Sequence, residues 1–342
     1  MANDPGTAPD RDLFDPFLAR AGLLAAGETA RYEALAGGVS SDIWRVDIGA
    51  RRYCIKRALA KLKVKDDWFA PISRNATEVA WLETAAAIAP GAAPEVLAHD
   101  PDAGMFAMAF VPLETAKPWK EVLRQGIADP AFAARVGAVL AWLHGRSAAM
   151  PDLAERFATD QAFHAIRLEP YLEATARRHP EHAERLAELV AVTAATRIAL
   201  VHGDVSPKNI LVGPDGPIFL DAECAWWGDP AFDLAFCLNH FLLKCLWVPP
   251  SRAGYLACFR AMTDSYAENL EADWAAPVLV RAAGLLPGLF LARIDGKSPV
   301  EYLTRDADKD LVRAAAGAML KTPPSDLEGV AATWERTLGD AA

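Results

Sequence analysis

The sequence has few cysteines, and none is paired at a spacing typical of a metal site. The five cysteines are odd in number and lack a Cys-x-x-Cys motif: Cys54, Cys224, Cys237, Cys245 and Cys258. A disulfide framework and a structural zinc site are therefore not expected. We predict buried thiols in a reducing, cytoplasmic environment.

Long apolar runs and clusters of basic residues are also missing. Residues 1–10 are polar and lack the apolar core of a signal peptide. The most apolar stretch that we identify, Leu234–Val248, is interrupted by polar residues and is too short to cross a bilayer. Because the net charge is −10 and no Lys/Arg cluster stands out, we expect neither a nucleic-acid nor a membrane partner.

The most informative feature present is a run of oxygen-bearing side chains between positions 202 and 223. The tripeptide His-Gly-Asp at 202–204 is followed by Asn209 and then by Asp-Ala-Glu at 221–223. Transfer of a γ-phosphoryl group needs a carboxylate beside the attacking hydroxyl and further oxygen ligands for Mg²⁺. Asp204 and Asn209 have the spacing of a kinase catalytic loop, and Asp221 follows as the second acid. This order indicates a kinase.

Three short apolar runs around this motif predict strands, at Ile198–Val201, Ile210–Val212 and Ile218–Leu220. The sequence Gly-Pro-Asp-Gly-Pro at 213–217 predicts a turn between the last two. The resulting hairpin would return Asp221 to the neighbourhood of Asn209. The alternative is a surface turn with ordinary solvated acids, which would require spacing, hairpin and second acid to coincide by chance.

The front of the chain predicts a nucleotide-binding sheet. Small residues at the turn 35–42 would let backbone N–H groups approach phosphates, although a plain hairpin has the same sequence: Gly37, Gly38 and Ser40. A predicted strand ends near Lys56, and a predicted helix begins near Glu78. In kinases a Lys on the third strand pairs with a Glu on the next helix and positions the α- and β-phosphates. Each could also be a surface charge.

A later strand, Met105–Val111, is a candidate for the hinge between two lobes. The carbonyl of Ala109 and the N–H of Val111 would then face adenine, although a strand that leaves the sheet reads the same way. Beyond it the pattern is mainly helical. We therefore predict an α+β fold, with an N-terminal ATP-binding lobe at 1–111, including a helical extension at its N-terminus, and a C-terminal lobe at 112–342.

These motifs resemble those of the aminoglycoside phosphotransferase/choline kinase family, from Leu35 to about Leu303. The His-Gly-Asp-x4-Asn run is specific to it, since eukaryotic protein kinases usually have Arg in place of Gly203. The resemblance implies a protein-kinase-like two-lobe fold, with a small five-stranded N-terminal lobe bearing one main helix and a larger, mainly helical C-terminal lobe. It also implies ATP and Mg²⁺ as cofactors and a small-molecule hydroxyl acceptor as partner.

The resemblance implies a role for each matching residue. They are Asp204 as catalytic base, Asn209 and Asp221 as Mg²⁺ ligands, Lys56 and Glu78 as the phosphate-contacting pair, and His202 and Asp233 as supports of the catalytic loop. The segment 221–228 is most similar to methylthioribose kinases, which have the same Asp-x-Glu pair, so Glu223 is a further expected metal ligand. Ser206 and Asn209 depart from that pattern, which leaves the acceptor open.

The acceptor pocket is expected in the helical lobe. Arg293, Asp295 and Lys297, at the end of an apolar helix, are candidates to contact the acceptor, unless they only complement the helix dipole. Trp226 and Trp227 are candidates to stack on a sugar ring, with packing under the catalytic loop as the alternative.

Charge patterning narrows the acceptor class. Acidic residues between 167 and 185 alternate with arginines, including Arg167, and this predicts surface ion pairs instead of an acidic site for a polycation. We expect a neutral or anionic acceptor that is sugar-like, such as a methylthioribose-like compound, or an amino alcohol. An aminoglycoside-modifying enzyme and a non-catalytic nucleotide-binding pseudokinase are the alternatives, and a homodimer remains open.

Overall fold

The first compact unit, Met1–Thr115, is built on an antiparallel five-stranded sheet. The computed structural model describes residues 9–35, 41–60 and 71–340. The strands are β1 (Arg31–Ala34), β2 (Ser41–Ile48), β3 (Arg51–Ala58), β4 (Val96–Asp100) and β5 (Met105–Ala109), in the spatial order β1-β2-β3-β5-β4. The sheet confirms the five-stranded N-terminal part predicted from the sequence.

Two helices belong to this unit. Helix α1 (Arg11–Arg20) buries Phe14, Phe17 and Leu18, whose spacing places them on one face. This face packs in one core cluster with residues of β2, among them Trp44 and Val46. Helix α2 (Arg74–Ile88) follows β3 along the chain and is the main helix of the unit.

The second unit, Ala116–Ala342, is mainly helical. Its α-helices are α3 (Trp119–Arg124), α4 (Pro130–Ala148), α5 (Asp152–Arg156), α6 (Asp160–Phe163), α7 (Ala174–Arg178), α8 (Ala183–Ala195), α9 (Ala231–Trp247), α10 (Arg252–Glu268), α11 (Ala272–Asp295), α12 (Asp306–Lys321) and α13 (Leu327–Asp340). A π-helix, His164–Glu173, joins α6 to α7, and 3-10 turns lie at Pro180–His182 and Pro249–Ser251. The division between the units falls after Thr115, whereas the sequence prediction placed the boundary after Val111.

Short strands in this unit carry the motif of residues 202–223. Strand β7 (Ala199–Val201) pairs with β10 (Trp226–Gly228), and β6 (Lys117–Pro118), β8 (Ile210–Val212) and β9 (Pro217–Phe219) form a small sheet. The predicted hairpin is present as β8 and β9, with a Gly213 N–H to Gly216 carbonyl bond of 3.0 Å at its turn. Strand β10 was not predicted, because all three of its residues are buried and show no alternation.

Helix α11 is a second long apolar segment, in addition to the predicted stretch Leu234–Val248. Among the described residues, Asp273–Asp295 is the one helical stretch that by length and composition could cross a membrane. However, 67% of its apolar window is buried inside the protein, and the helix packs against α9 and α12. A core helix has the same length and composition, so this feature does not by itself indicate a membrane span.

Helices α4 and α10 approach closely at Gly137, where a Cβ atom would collide with the carbonyl oxygen of Met262. We predict that Gly137→Ala lowers the free energy of unfolding by about 1–3 kcal/mol, because backbone atoms must move to admit the methyl group. Urea unfolding measures this. Gly339→Ala is the matched control, since a Cβ there meets no atom within 4 Å and Ala favours the helix. Equal stabilities of the two variants would contradict the close packing.

Candidate active site

The buried carboxylate of Asp233 fixes the start of the catalytic loop. It lies in the first turn of α9 and is 0% exposed. Its two oxygens accept hydrogen bonds from the backbone N–H of His202 (2.7 Å) and of Gly203 (2.8 Å). The imidazole Nε2 of His144 lies 3.2 Å from the same carboxylate. The loop that follows β7 is therefore held by backbone bonds to one side chain.

The His202 side chain connects this loop to the end of the β8–β9 hairpin. Its Nδ1 accepts a hydrogen bond from the Asp204 N–H (3.1 Å), and its Nε2 lies 3.1 Å from the carbonyl of Leu220. Burial lowers the pKa of His202, which favours the neutral ring. A neutral imidazole protonated at Nε2 satisfies both contacts.

Glycine is required at position 203 for two reasons. Gly203 has φ of +79°, where residues with a side chain are strained, and a Cβ there would lie 2.6 Å from the carbonyl oxygen of Cys224. The segment after Asp221 thus packs directly against the catalytic loop. This contact explains why Arg, usual at this position in eukaryotic protein kinases, would not fit here.

The hairpin brings Asn209 and Asp221 to the same end of the β8–β9 pair. Ile210 pairs with Phe219, and the Leu220 N–H donates to the Asn209 carbonyl at 2.9 Å. The Asn209 side-chain amide donates to the backbone carbonyl of Asp204 (3.1 Å), which leaves its oxygen as the atom available to a cation. Among the residues described, Asp221 is the sole non-glycine with positive φ, at 67°. Such strain is typical of functional positions.

Asp204 lies between two cations. Its Oδ2 is 3.0 Å from Nη2 of Arg167 and 3.2 Å from Nζ of Lys208. Burial and the charge of Asp221 favour a higher pKa for Asp204, but Lys208 and Arg167 outweigh them, and the pKa is lowered. Asp204 is therefore ionised near neutral pH.

The prediction made for Arg167 from the sequence was wrong. We expected it to form a surface ion pair, but its side chain is 12% exposed and points to the catalytic loop. Its Nε donates to the Gly203 carbonyl, and its Nη1 donates to the carbonyl of Ile166 at 2.6 Å. Arg167 lies in the π-helix, a conformation frequent at functional sites. Pro170 in the same segment lacks an N–H and cannot support regular α-helical bonding.

The donors present fit Mg²⁺ bound together with a nucleotide. Asn209 and Asp221 offer an amide and a carboxylate oxygen, the hard ligands that Mg²⁺ prefers. Within the described ranges, no three His, Cys, Asp or Glu side chains form a group that could hold a metal by themselves. Mg²⁺ in nucleotide sites usually takes one or two carboxylates plus phosphate oxygens and does not need such a group. Glu223 is half-buried near Cys224, whose pKa is raised by burial and, further, by the charge of Glu223.

The first unit contains a buried ion pair of the kind predicted. Nζ of Lys56, on β3, lies 2.8 Å and 2.7 Å from the two carboxylate oxygens of Glu78, on α2. Both side chains are under 5% exposed, so the pair is desolvated. Ala109 ends β5 with its N–H bonded to the Glu95 carbonyl (2.9 Å), and Val111 follows in irregular chain. The predicted phosphate-binding turn residues lie outside the described residues: Gly37, Gly38 and Ser40.

A cavity of about 180 Å³ in the second unit is lined by Asp204 and by Arg293, two of the predicted site residues. Its remaining lining includes residues that the sequence reading did not select: Lys120, Tyr171, Ser206, Lys208, Phe236, His240, Lys244, Ser298, Glu301 and Tyr302. The nearest sequence signal was the polar interruption of the apolar stretch 234–248 at His240 and Lys244. From the sequence alone, that interruption argues only against a membrane span.

The other predicted acceptor contacts lie elsewhere. Trp226 is buried and stacks on Phe163, with ring centroids 4.2 Å apart. Trp227 donates from Nε1 to the Arg197 carbonyl at 3.1 Å. Neither tryptophan lines the cavity beside Asp204.

Asp295 and Lys297 also have partners away from the cavity. Asp295 forms two hydrogen bonds with Arg313, of 2.8 Å and 2.7 Å. Lys297 is half-exposed and pairs with Glu169 at 2.8 Å. Of the three charged residues predicted at this helix end, the structure brings Arg293 alone to the cavity.

The family of the chain follows from comparison with known proteins. A model of the phosphotransferase enzyme family (APH) matches residues 31–268, well over half of the sequence. The chain therefore belongs to this family. Methylthioribose kinase of Pectobacterium atrosepticum is 26% identical to it over 229 residues. The match covers 59% of this chain and 57% of the length of that curated relative.

Solved structures show the fold. A choline/ethanolamine kinase family protein from Mesorhizobium loti superimposes with a TM-score of 0.51 at 17% identity, covering 94% of this chain and 99% of that one. At such identity the likeness concerns architecture alone. It agrees with the α+β, protein-kinase-like fold predicted from the sequence, with a five-stranded N-terminal sheet and a mainly helical remainder.

The hydrogen bonds that Asp233 accepts lead to a prediction about the stability of the protein. Asp233→Asn should lower the free energy of unfolding by about 2 kcal/mol, because the amide has one acceptor oxygen for two buried N–H donors. Amide hydrogen exchange at His202 and Gly203 should accelerate in the same variant. Asp264→Asn, an exposed position on α10, is the control and should change neither quantity. Unchanged exchange at both amides would show that Asp233 does not hold the loop.

Proposed function

We propose that this protein is an ATP- and Mg²⁺-dependent phosphotransferase that moves the γ-phosphoryl group to an alcohol hydroxyl of a small molecule. One observation carries the proposal: the ionised carboxylate of Asp204 lines a cavity, and the side chain of Asn209 is bonded to the same residue. Phosphoryl transfer requires a positioned carboxylate next to a space for the acceptor, together with oxygen ligands for a metal ion.

Asp204 would accept a hydrogen bond from the acceptor hydroxyl and orient its oxygen for in-line attack. Arg167 and Lys208 keep the carboxylate ionised, and an ionised carboxylate is an acceptor only. Because its pKa is lowered, Asp204 is a weak base. Its main contribution is therefore orientation. It would take the hydroxyl proton as the new oxygen–phosphorus bond forms and the bond from the γ-phosphorus to the bridging oxygen breaks, with ADP as the leaving group.

The remaining predicted residues would bind the nucleotide and its metal. Asn209 and Asp221, with Glu223 as an additional carboxylate, would hold Mg²⁺, which neutralises phosphate charge when bound. Lys56, held by Glu78, supplies a cation for the α- and β-phosphates. Gly37, Gly38 and Ser40 are the proposed contacts to the phosphates, and the backbone at Ala109 and Val111 is the proposed contact to adenine.

For the acceptor we propose a sugar-like hydroxyl compound. The likeness to a protein named methylthioribose kinase supports this class. Amino alcohols and aminoglycosides are less well supported, because their cationic groups would meet the basic side chains of Lys120, Lys244 and Arg293 in the cavity.

The proposal predicts that Asp204→Asn lowers the turnover number at least about a hundredfold, since a positioned carboxylate contributes this much to proton transfer and orientation. Coupled ADP release with Mg-ATP measures it, against methylthioribose, other pentoses, nucleosides, homoserine, choline, ethanolamine and aminoglycosides.

Asp215→Asn is the matched control, because Asp215 is exposed in the turn of the same hairpin. This variant should keep full activity. Acceptor-dependent ADP release that is equal in wild type and Asp204→Asn would refute the role of Asp204. Nucleotide binding without ADP release from any acceptor would favour the non-catalytic alternative.

A further inference from the structure

The cavity beside Asp204 is lined by more basic side chains than acidic ones, the acids being Asp204 and Glu301. Four basic side chains line it: Lys120, Lys208, Lys244 and Arg293. Lys208 is paired with Asp204, and Lys120 is paired with Glu301. In the part of the chain that the structure describes, neither Lys244 nor Arg293 has a carboxylate partner.

Lys244 is the more unusual of the two. It lies on α9 and is 1% exposed, and its Nζ makes no hydrogen bond to any residue in the described ranges. Its Nζ is 4.7 Å from the ring centroid of Tyr302 and 5.0 Å from that of Trp247. Burial, and then the charge of Lys120, lower the pKa of Lys244 to about 7. Ring faces only partly offset the cost of desolvating an ammonium group, so a bound anion would stabilise it further.

Arg293 reaches the cavity from α11 and is held by neutral groups. Its Nη1 donates to the hydroxyl of Tyr171 (3.2 Å) and to Oγ of Ser298 (3.1 Å). Its Nε is buried without a protein partner among the described residues. The guanidinium is therefore fixed in position and keeps a donor and its full charge for another group.

Several residues that line the cavity also have neutral polar atoms without partners in the described structure. They are both ring nitrogens of His240, Oγ of Ser206 and the hydroxyl of Tyr302. His240 is 6% exposed and Ser206 is 1% exposed. Burial, and then the charge of Arg293, lower the pKa of His240, so its ring is neutral and offers one donor and one acceptor. Buried polar atoms are normally paired, and a hydroxylated ligand would pair these.

We propose that the phosphoryl acceptor carries an anionic group, a carboxylate or a phosphate, which binds Lys244 and Arg293 while a hydroxyl of the same molecule lies at Asp204. His240, Ser206 and Tyr302 then bind further hydroxyl groups. The cavity volume of about 180 Å³ fits a small hydroxy acid or sugar phosphate. This inference rests on the proposed function and names the substrate class of the same site.

The test compares acids with uncharged compounds of the same carbon skeleton. Isothermal titration without nucleotide would use glycerate, erythronate and ribonate against glycerol, erythritol and ribitol, with glycerol phosphate as the phosphate arm and choline as a cation. At least one acid should bind about tenfold or more tightly than its uncharged partner, since loss of a partner from a buried charge pair costs at least that factor. The two acid arms identify which anion is preferred.

Lys244→Met and Arg293→Gln should each abolish the preference for the acid, whereas Lys321→Met, at an exposed helix end, should preserve it. In turnover assays with a bound acid, both cavity variants should raise KM more than they lower kcat. A merely structural lysine would not give this split. Lys244→Met should also raise the melting temperature of the ligand-free protein, because an unpaired buried ammonium is replaced by an apolar group. If one variant does not fold, the other still tests the site.

Acids that bind no more tightly than their uncharged partners, or do not bind, would overturn this inference. Asp204-dependent phosphorylation of an uncharged acceptor would then leave the proposed function intact. Conversely, acids that bind with the expected preference, together with no ADP release from any compound of either set, would contradict the phosphotransferase proposal and leave an anion site that binds no acceptor.

Discussion

The catalytic loop depends on one buried carboxylate. Asp233 replaces the solvent that the N–H groups of His202 and Gly203 would otherwise bind, and it does so from the first turn of a helix that is buried along nearly its whole length. His202 passes this constraint to the hairpin end through the Leu220 carbonyl. The positions of Asp204 and Asn209 follow from these bonds, so the chemistry of the site is set by backbone contacts.

Around this loop the molecule concentrates basic side chains, of which Arg167 and Lys244 are largely removed from water and Lys208 is half-exposed. Arg167 and Lys208 hold Asp204 ionised, while Lys244 and Arg293 lack an acid of their own among the described residues. A fold selected for stability alone would be expected to neutralise or exclude such cations. Their retention beside the carboxylate of Asp204 is the physical reason to look for an anionic acceptor.

Much of the fold could be predicted from local sequence patterns. The apolar runs and the Gly/Pro turn predicted the β8–β9 hairpin, and the order of a strand with Lys56 and a helix with Glu78 anticipated a pair that the structure forms. Strand β10 and the π-helix were missed because burial on all sides, and irregular bonding around Pro170, leave no periodic signal. Arg167 was misjudged because it was grouped with the acids and arginines of 169–185, although its separations from Glu169 and Glu173, two and six residues, are not those of helical surface pairs.

The sequence by itself determined the order and spacing of the chemical groups, since these depend on a few neighbouring positions and on turn residues. It therefore determined the kinase motif and the return of Asp221 towards Asn209. The tertiary structure decided which distant charges share the cavity with Asp204. Arg293 reaches it while Asp295 and Lys297, on the same helix end, turn to Arg313 and Glu169. Which of these side chains reaches the cavity depends on how whole helices pack, and no local sequence pattern predicts it.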